Sequence, residues 1–214
     1  MLTSFIRPDA PNPDFRTDEE FHYIIDNREK YLPESVERAV AELQKRGTVF
    51  SEEEIRVINE DMQARRELAA ANNVNQGLFS NTYKNNIIDD PDAYSFYSRQ
   101  VIRVFTILCS TLFGSVMMAI NIGKTKNTGG VILVLLFGLI FTTLQIVIIN
   151  SAHTSGSYAY FFGFVGAIGL DYLFWNRYIG NEALYRARPF WIPLIIALVL
   201  LALFIFSLFY GDRA

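Results

Sequence analysis

The sequence predicts an all-α protein in which a short three-helix soluble head precedes a helical membrane domain with four transmembrane helices. Two observations support this prediction. Residues 1–98 hold 11 Lys/Arg and 19 Asp/Glu, whereas residues 99–214 hold only 8 and 3. The second half also contains four apolar stretches, each near the roughly 20 residues that a helix needs to cross a hydrocarbon core. We therefore divide the chain into a head (1–71), a polar linker (72–96) and a transmembrane domain (97–214).

The head carries start signals for three helices. Thr17 and Glu20 form a capping box, in which each side chain accepts a hydrogen bond from a backbone N–H at the helix start. Pro33 fits the first turn of a second helix, where its missing N–H is not needed. Ser51 and Glu54 form a second capping box. A core of this size barely offsets the lost conformational entropy, so we expect the head to pack on another surface.

Residues 72–96 are rich in Asn and end in the acidic run Asp89, Asp90, Pro91, Asp92. This composition predicts loose structure. The acidic head is unsuited to nucleic acid or anionic lipid, because both require clustered Lys and Arg. A nucleic-acid partner is therefore not expected.

The membrane domain is delimited by aromatic residues. The two tryptophans, Trp175 and Trp191, both stand at the edge of an apolar stretch, and aromatic rings favour the headgroup level. In an alternative arrangement the third, glycine-rich stretch is re-entrant and only three helices cross. The four predicted spans cover residues 101–122, 131–150, 158–175 and 190–210.

The orientation of this domain is weakly determined. With four spans, four Lys/Arg lie on the side of the head and five on the other, so the positive-inside rule does not decide between the two orientations. No signal peptide pattern precedes the charged head, which favours a cytoplasmic head. We expect a multi-pass protein of a bacterial inner membrane.

Few polar side chains interrupt the spans. Asp171 is the one ionisable side chain that we expect below the membrane interface, and an acid at membrane depth is a functional hypothesis by default. With Asn121 and Gln145 it forms the candidate intramembrane site. The competing interpretation, which we favour, is a structural ion pair between Asp171 and either Arg177 or Arg103.

Other residues suit packing or lipid contact. Cys109 is the only cysteine and lies within the first stretch, where we expect an inert packing residue. Small residues at spacings of three and four let helices approach closely, either within the domain or across a dimer. The candidate packing residues are Ser110, Gly114, Ala159, Gly163, Gly166 and Gly169. The candidate headgroup contacts are Arg177, Arg186 and Arg188.

Several segments of the chain resemble a known group. The runs Tyr31-Leu-Pro-Glu-Ser-Val and Leu43-Gln-Lys-Arg-Gly resemble the acidic helical module "Y-x-P-E-A-V…L-x-x-R-G" of uncharacterised bacterial multi-pass membrane proteins. Ser35 replaces the usual alanine. Residues 97–122 resemble the first span of the same group, and residues 175–194 resemble its last loop and span. The resemblance implies a membrane protein and no particular activity.

No metal-ligand spacing, phosphate-binding loop or nucleophile motif is present, so we predict neither an enzyme nor a cofactor. The leading hypothesis is a scaffold or accessory subunit whose cytoplasmic head docks a protein partner or a second copy. One alternative is a small transporter or channel that uses Asp171. The other is a lipid-directed membrane enzyme that holds a phosphate in the loop 176–188.

Overall fold

The computed structural model describes residues 4–71, 86–152 and 157–210. The chain is mostly helical, as predicted. The helices of the head are α1 (Asp18–Asp26), α2 (Pro33–Lys45) and α3 (Glu52–Ala71). The second half contains α4 (Arg99–Leu108), α5 (Thr111–Lys124), α6 (Thr128–Ala152), α7 (Ser157–Gly169) and α8 (Trp191–Tyr210).

The helices of the head begin where the sequence predicts. The Thr17 hydroxyl accepts from the Glu20 N–H while the Glu20 carboxylate accepts from the Thr17 N–H. Ser51 and Glu54 repeat this exchange before α3. Each capping box satisfies helix-start donors that have no partner within the helix. The apolar faces of the three helices form one core of Phe21, Ile24, Ile25, Val36, Ala39, Leu43, Ile58 and Met62.

The segment 86–96 joins the head to the second half of the chain, and this corrects the prediction of a loose linker for that segment. Two of its residues, Ser95–Phe96 (β1), pair in parallel with Arg186–Ala187 (β2). Apolar side chains lie on both sides of the acidic run here, and Phe96 is fully buried. Composition alone missed this pattern. The rest of the predicted linker, 72–85, lies outside the described residues.

Contacts between the head and this segment are buried. Leu32, which precedes α2, packs with Ile88, Ala93 and Leu184 rather than with the core of the head. The carboxylate of Asp90 accepts from the Leu32 N–H at 3.0 Å. The head and the second half are therefore joined by apolar and polar contacts, which we call the joint.

The first apolar stretch is two helices and not the single predicted helix. The helix is interrupted at Cys109 and Ser110. The Ser110 hydroxyl accepts a hydrogen bond from the Phe113 N–H and so caps the start of α5. α5 then returns to the level of the joint, because the Asn121 amide bonds to both the N–H and the C=O of Tyr97. α4 and α5 thus form a hairpin whose tip points away from the head.

The next helices run past this hairpin in opposite directions. α6 starts beside the joint and passes the tip, where the Thr142 hydroxyl accepts from the Leu112 N–H at 3.1 Å. α7 comes back, with Gly163 against the Ile107 backbone. It continues as a π-helix over Leu170–Ile179 and ends beside the joint.

α8 begins at the joint and leaves it along the outside of the hairpin, with Leu194 and Ala197 against the core. Within the described residues one helical segment, Thr128–Ser151, is long and apolar enough to cross a membrane. It is largely exposed on the surface of the chain, unlike the core helix of a soluble protein.

Candidate functional site

A carboxylate and two guanidinium groups meet where α4 packs on the π-helix. Arg99 donates from Nε to Asp171 Oδ1 at 2.7 Å, and Arg103 donates from Nη2 to Asp171 Oδ2 at 2.5 Å. Arg99 also donates to the Asn176 side-chain oxygen. We call Arg99, Arg103 and Asp171 the ionic centre.

Helix geometry explains how these groups meet. Arg99 and Arg103 are four residues apart on α4 and therefore share a face. In a π-helix the hydrogen bonds join residues five apart, so Asp171 and Asn176 both reach Arg99. The ring of Trp175, which is buried, lies 5.3 Å from the Arg99 guanidinium carbon in a cation–π contact.

The ionic centre is well shielded from water and both oxygens of its carboxylate are taken. The exposed fractions of the Arg99, Arg103 and Asp171 side chains are 5%, 15% and 13%. Each oxygen of the Asp171 carboxylate already accepts a hydrogen bond from a guanidinium group. This arrangement suits a structural ion pair more than a transport site.

The sequence predicts two alternative partners for Asp171, and one of them is in contact with it. Arg103 is a partner, but Arg177 lies over the ring of Tyr178 instead. The sequence analysis missed Arg99. The sequence does contain a pattern that could have predicted this partner. Arg99 and Arg103 are four residues apart, which places both charges on one face of a helix in the predicted membrane domain.

The other two candidate polar residues belong elsewhere. Asn121 is used in the bonds to Tyr97 described above, and it is fully buried. Gln145 instead lines a cavity of about 200 Å³ at the hairpin tip, beside Ser110, Tyr160 and Gly163. Asp171, Asn121 and Gln145 therefore do not form one site.

The small residues lie where helices of this chain approach one another. Gly114 faces Thr106, Gly163 faces the Ile107 backbone, and Gly166 faces Thr111. Gly169 packs on the ring of Phe137, while Ser110 serves as the N-cap of α5. The side chain of Ala159 lies outside what the structure describes. Cys109 ends α4 and is exposed at the hairpin tip rather than packed.

An apolar groove separates the hairpin from α8. Its volume is about 680 Å³, within the range of small-molecule sites. Its walls are formed by side chains of α4, α5 and α8, and its polar members are few. The residues that line it include Gln100, Val104, Phe105, Phe113, Phe190, Leu194 and Leu198.

Three cations lie together at the joint. Arg186 is the first residue of β2 and Arg188 directly follows the strand, and their backbone N–H groups donate to the carbonyl oxygens of Tyr94 and Phe96. The Lys124 ammonium, at the end of α5, donates to the Ser95 carbonyl. Burial lowers the pKa of Lys124, and the nearby charges of Arg188 and Arg186 lower it further. We call Lys124, Arg186 and Arg188 the basic cluster.

Comparisons of the chain with family models, with curated proteins and with solved structures found no match. The candidate sites above therefore stand on geometry and chemistry alone.

Proposed function

We propose that this chain is a multi-pass membrane protein that acts as a scaffold or accessory subunit, with the head as a fixed docking platform for a protein partner. The observation that carries the proposal is the joint. A head tied to the membrane domain by buried contacts presents its surface at a constant height and angle, as a scaffold requires. The joint also supplies a surface on which the small head packs, so no partner is needed to stabilise the core of the head.

Helix lengths support three membrane crossings. α6 has 25 residues and α8 has 20, so at about 1.5 Å per residue each reaches across a core of about 30 Å. α7 and its π-helical continuation run from Ser157 to Ile179. α4 has only 10 residues and reaches about half that depth. We place the hairpin as a re-entrant element, which differs from the sequence-based alternative of a re-entrant third stretch.

This placement also favours a cytoplasmic head. With the hairpin re-entrant, the loops after α5 and after the π-helix both fall on the side of the head. Almost all Lys and Arg of the second half then lie on that side, and the positive-inside rule assigns such a side to the cytoplasm. These residues are Arg99, Arg103, Lys124, Lys126, Arg177, Arg186 and Arg188.

The docking surface that we propose is the outward face of α3. Val57, Ala64 and Leu68 follow one another at helical spacing, and all three are exposed. The head around them is acidic, with 10 Lys/Arg and 16 Asp/Glu in residues 1–71. An apolar stripe with acidic surroundings suits a partner that offers an apolar patch with basic residues around it.

The two alternatives have less support. A transporter would use Asp171, but its carboxylate is held by Arg99 and Arg103. A lipid-directed enzyme needs a nucleophile or general base beside the bound phosphate. The basic cluster contains only cations.

The test is co-purification of the full chain from its native membrane in mild detergent. We expect a partner in stoichiometric amount that is lost from the double variant Val57→Asp/Leu68→Asp. The matched control is Val49→Asp, at an exposed position of the head just before α3 and outside its outward apolar stripe. A chain that purifies alone would refute the docking function, and a partner retained equally by all variants would refute the outward face of α3 as the docking surface.

A further inference from the structure

We propose that the groove between the hairpin and α8 holds an acyl chain of an anionic phospholipid, whose phosphate lies on the basic cluster. This inference rests on the membrane placement proposed above and adds a specific ligand to it. The chemistry of the groove and the basic cluster indicates the occupant. An apolar groove suits the acyl chain of a lipid, and a nearby group of cations suits its anionic headgroup.

Residues at one end of the groove are close in the chain to residues in contact with the basic cluster. Its hairpin wall includes Gln100, which lies three residues after Tyr97 in the sequence, and its other wall starts at Phe190. Arg188 lies two residues before Phe190 in the sequence, and its guanidinium carbon is 4.8 Å from the centre of the Tyr97 ring. A phosphate at Arg188 is therefore in position to send an acyl chain into the groove.

The basic cluster retains its charge for a ligand. Its three side chains form no salt bridge within the residues that the structure describes. Asp9 is the nearby carboxylate that offsets the Lys124 charge, and it is paired with Arg7 at 3.1 Å. Arginines suit phosphate because their planar N–H groups bond two oxygens together.

The groove is suited to a lipid chain by position and by surface. It lies along the outer side of the hairpin, in the region of the fold that we place inside the bilayer. Its lining is aliphatic and aromatic over most of its length, with Phe105 and Phe113 stacked ring on ring at 5.5 Å. An acyl chain there fills space that α8 leaves open against α4 and α5.

The experiment measures lipid binding by tryptophan quenching. Trp191 is exposed at the start of α8 near the groove, whereas Trp175 is buried, so bromine-labelled lipids quench mainly the first. The full chain is placed in nanodiscs of phosphatidylcholine that contain increasing amounts of brominated phosphatidylglycerol or brominated phosphatidylcholine. We expect half-maximal quenching at roughly tenfold less phosphatidylglycerol than phosphatidylcholine.

Variants separate the basic cluster from the apolar groove. Arg186→Ala/Arg188→Ala should abolish the preference for phosphatidylglycerol, whereas Arg177→Ala, which removes a cation on the same side, should keep it. Ala197→Phe fills the groove and should weaken quenching by both lipids. Equal quenching by both lipids in the wild type, or a preference that survives in the double variant, would overturn the proposal.

Failure of this proposal is distinguishable from failure of the membrane placement. A chain that inserts in nanodiscs and shows no preference contradicts the lipid site alone. A chain that stays outside nanodiscs and remains soluble without detergent contradicts both.

Discussion

At the scale of residues, the ionic centre decides how Asp171 responds to substitution. The Asp171 carboxylate offsets the charge of one of the two guanidinium groups, and it accepts a hydrogen bond from each of Arg99 and Arg103. Breaking a buried ion pair by removing one partner leaves an uncompensated charge, which costs about 3–5 kcal/mol. An amide in place of the carboxylate keeps one acceptor oxygen and loses the charge, so its effect should be smaller.

We therefore predict a graded loss of stability. Asp171→Leu should lower the unfolding temperature in detergent more than Asp171→Asn, because leucine leaves both Arg99 and Arg103 without this acceptor. The control is Tyr172→Leu, since that side chain is 75% exposed and adjacent. Thermal unfolding followed by circular dichroism measures the difference. Equal stability of the Leu variant and the wild type would show that the pairing contributes nothing.

Single residues of the head follow the sequence pattern closely. Gly47, which follows the end of α2, has a φ of +99°, a conformation that glycine adopts without strain. The Thr48 N–H bonds to the Leu43 carbonyl and the Gly47 N–H to the Gln44 carbonyl, which together close the helix end. The spacing Leu43 to Gly47 thus has a physical reason, which makes it readable without the structure.

At the scale of elements, the hairpin is where the sequence prediction fails. Residues 101–122 are apolar enough to pass as one span, because hydropathy counts side chains and is blind to chain direction. The local signal lies in Ser110 and Thr111, since serine is a strong N-cap residue and marks a new helix start. The capping boxes of the head were predicted correctly because they depend only on residues three apart.

The re-entrant placement of the hairpin predicts on which side of the membrane the two ends of α6 lie. In a Cys109→Ser background, Asn127→Cys should be protected from a membrane-impermeant maleimide in intact cells, and Asn150→Cys should react. Asn127 lies after the returning helix α5, at the level of the joint, whereas Asn150 lies near the opposite end of α6. Four crossings with a cytoplasmic head give the reverse labelling, so that reversed pattern would exclude the re-entrant hairpin.

At the scale of the whole molecule, the joint connects the head to the second half of the chain by buried contacts. The sequence anticipated that a three-helix head would need another surface, and a marginal core was the reason. It did not identify the surface, because the pairing of residues 86–96 with 185–188 spans about 90 residues of chain. Contacts at such separation leave no local pattern in composition or periodicity.

A substitution of Leu32 tests whether this joint holds the head and the second half of the chain together. Leu32→Ala should open a cavity at the joint and cost about 2–5 kcal/mol, since the side chain is fully buried against Ile88, Ala93 and Leu184. The core of the head does not include Leu32, so α1 and α2 should keep their own protection. Hydrogen exchange of the full chain should therefore speed up at the Ile88 amide, which bonds to the Tyr185 carbonyl at 3.1 Å.

The control for this experiment is Val49→Ala. It also removes apolar side-chain volume, but at a site that is 92% exposed. That variant should leave exchange unchanged everywhere. If Leu32→Ala instead melts α1 and α2 while Ile88 stays protected, Leu32 serves the head alone, and the docking platform is tethered rather than fixed. Faster exchange confined to Ile88 and its neighbours means that removing one side chain loosens the platform from the membrane domain while the head stays folded.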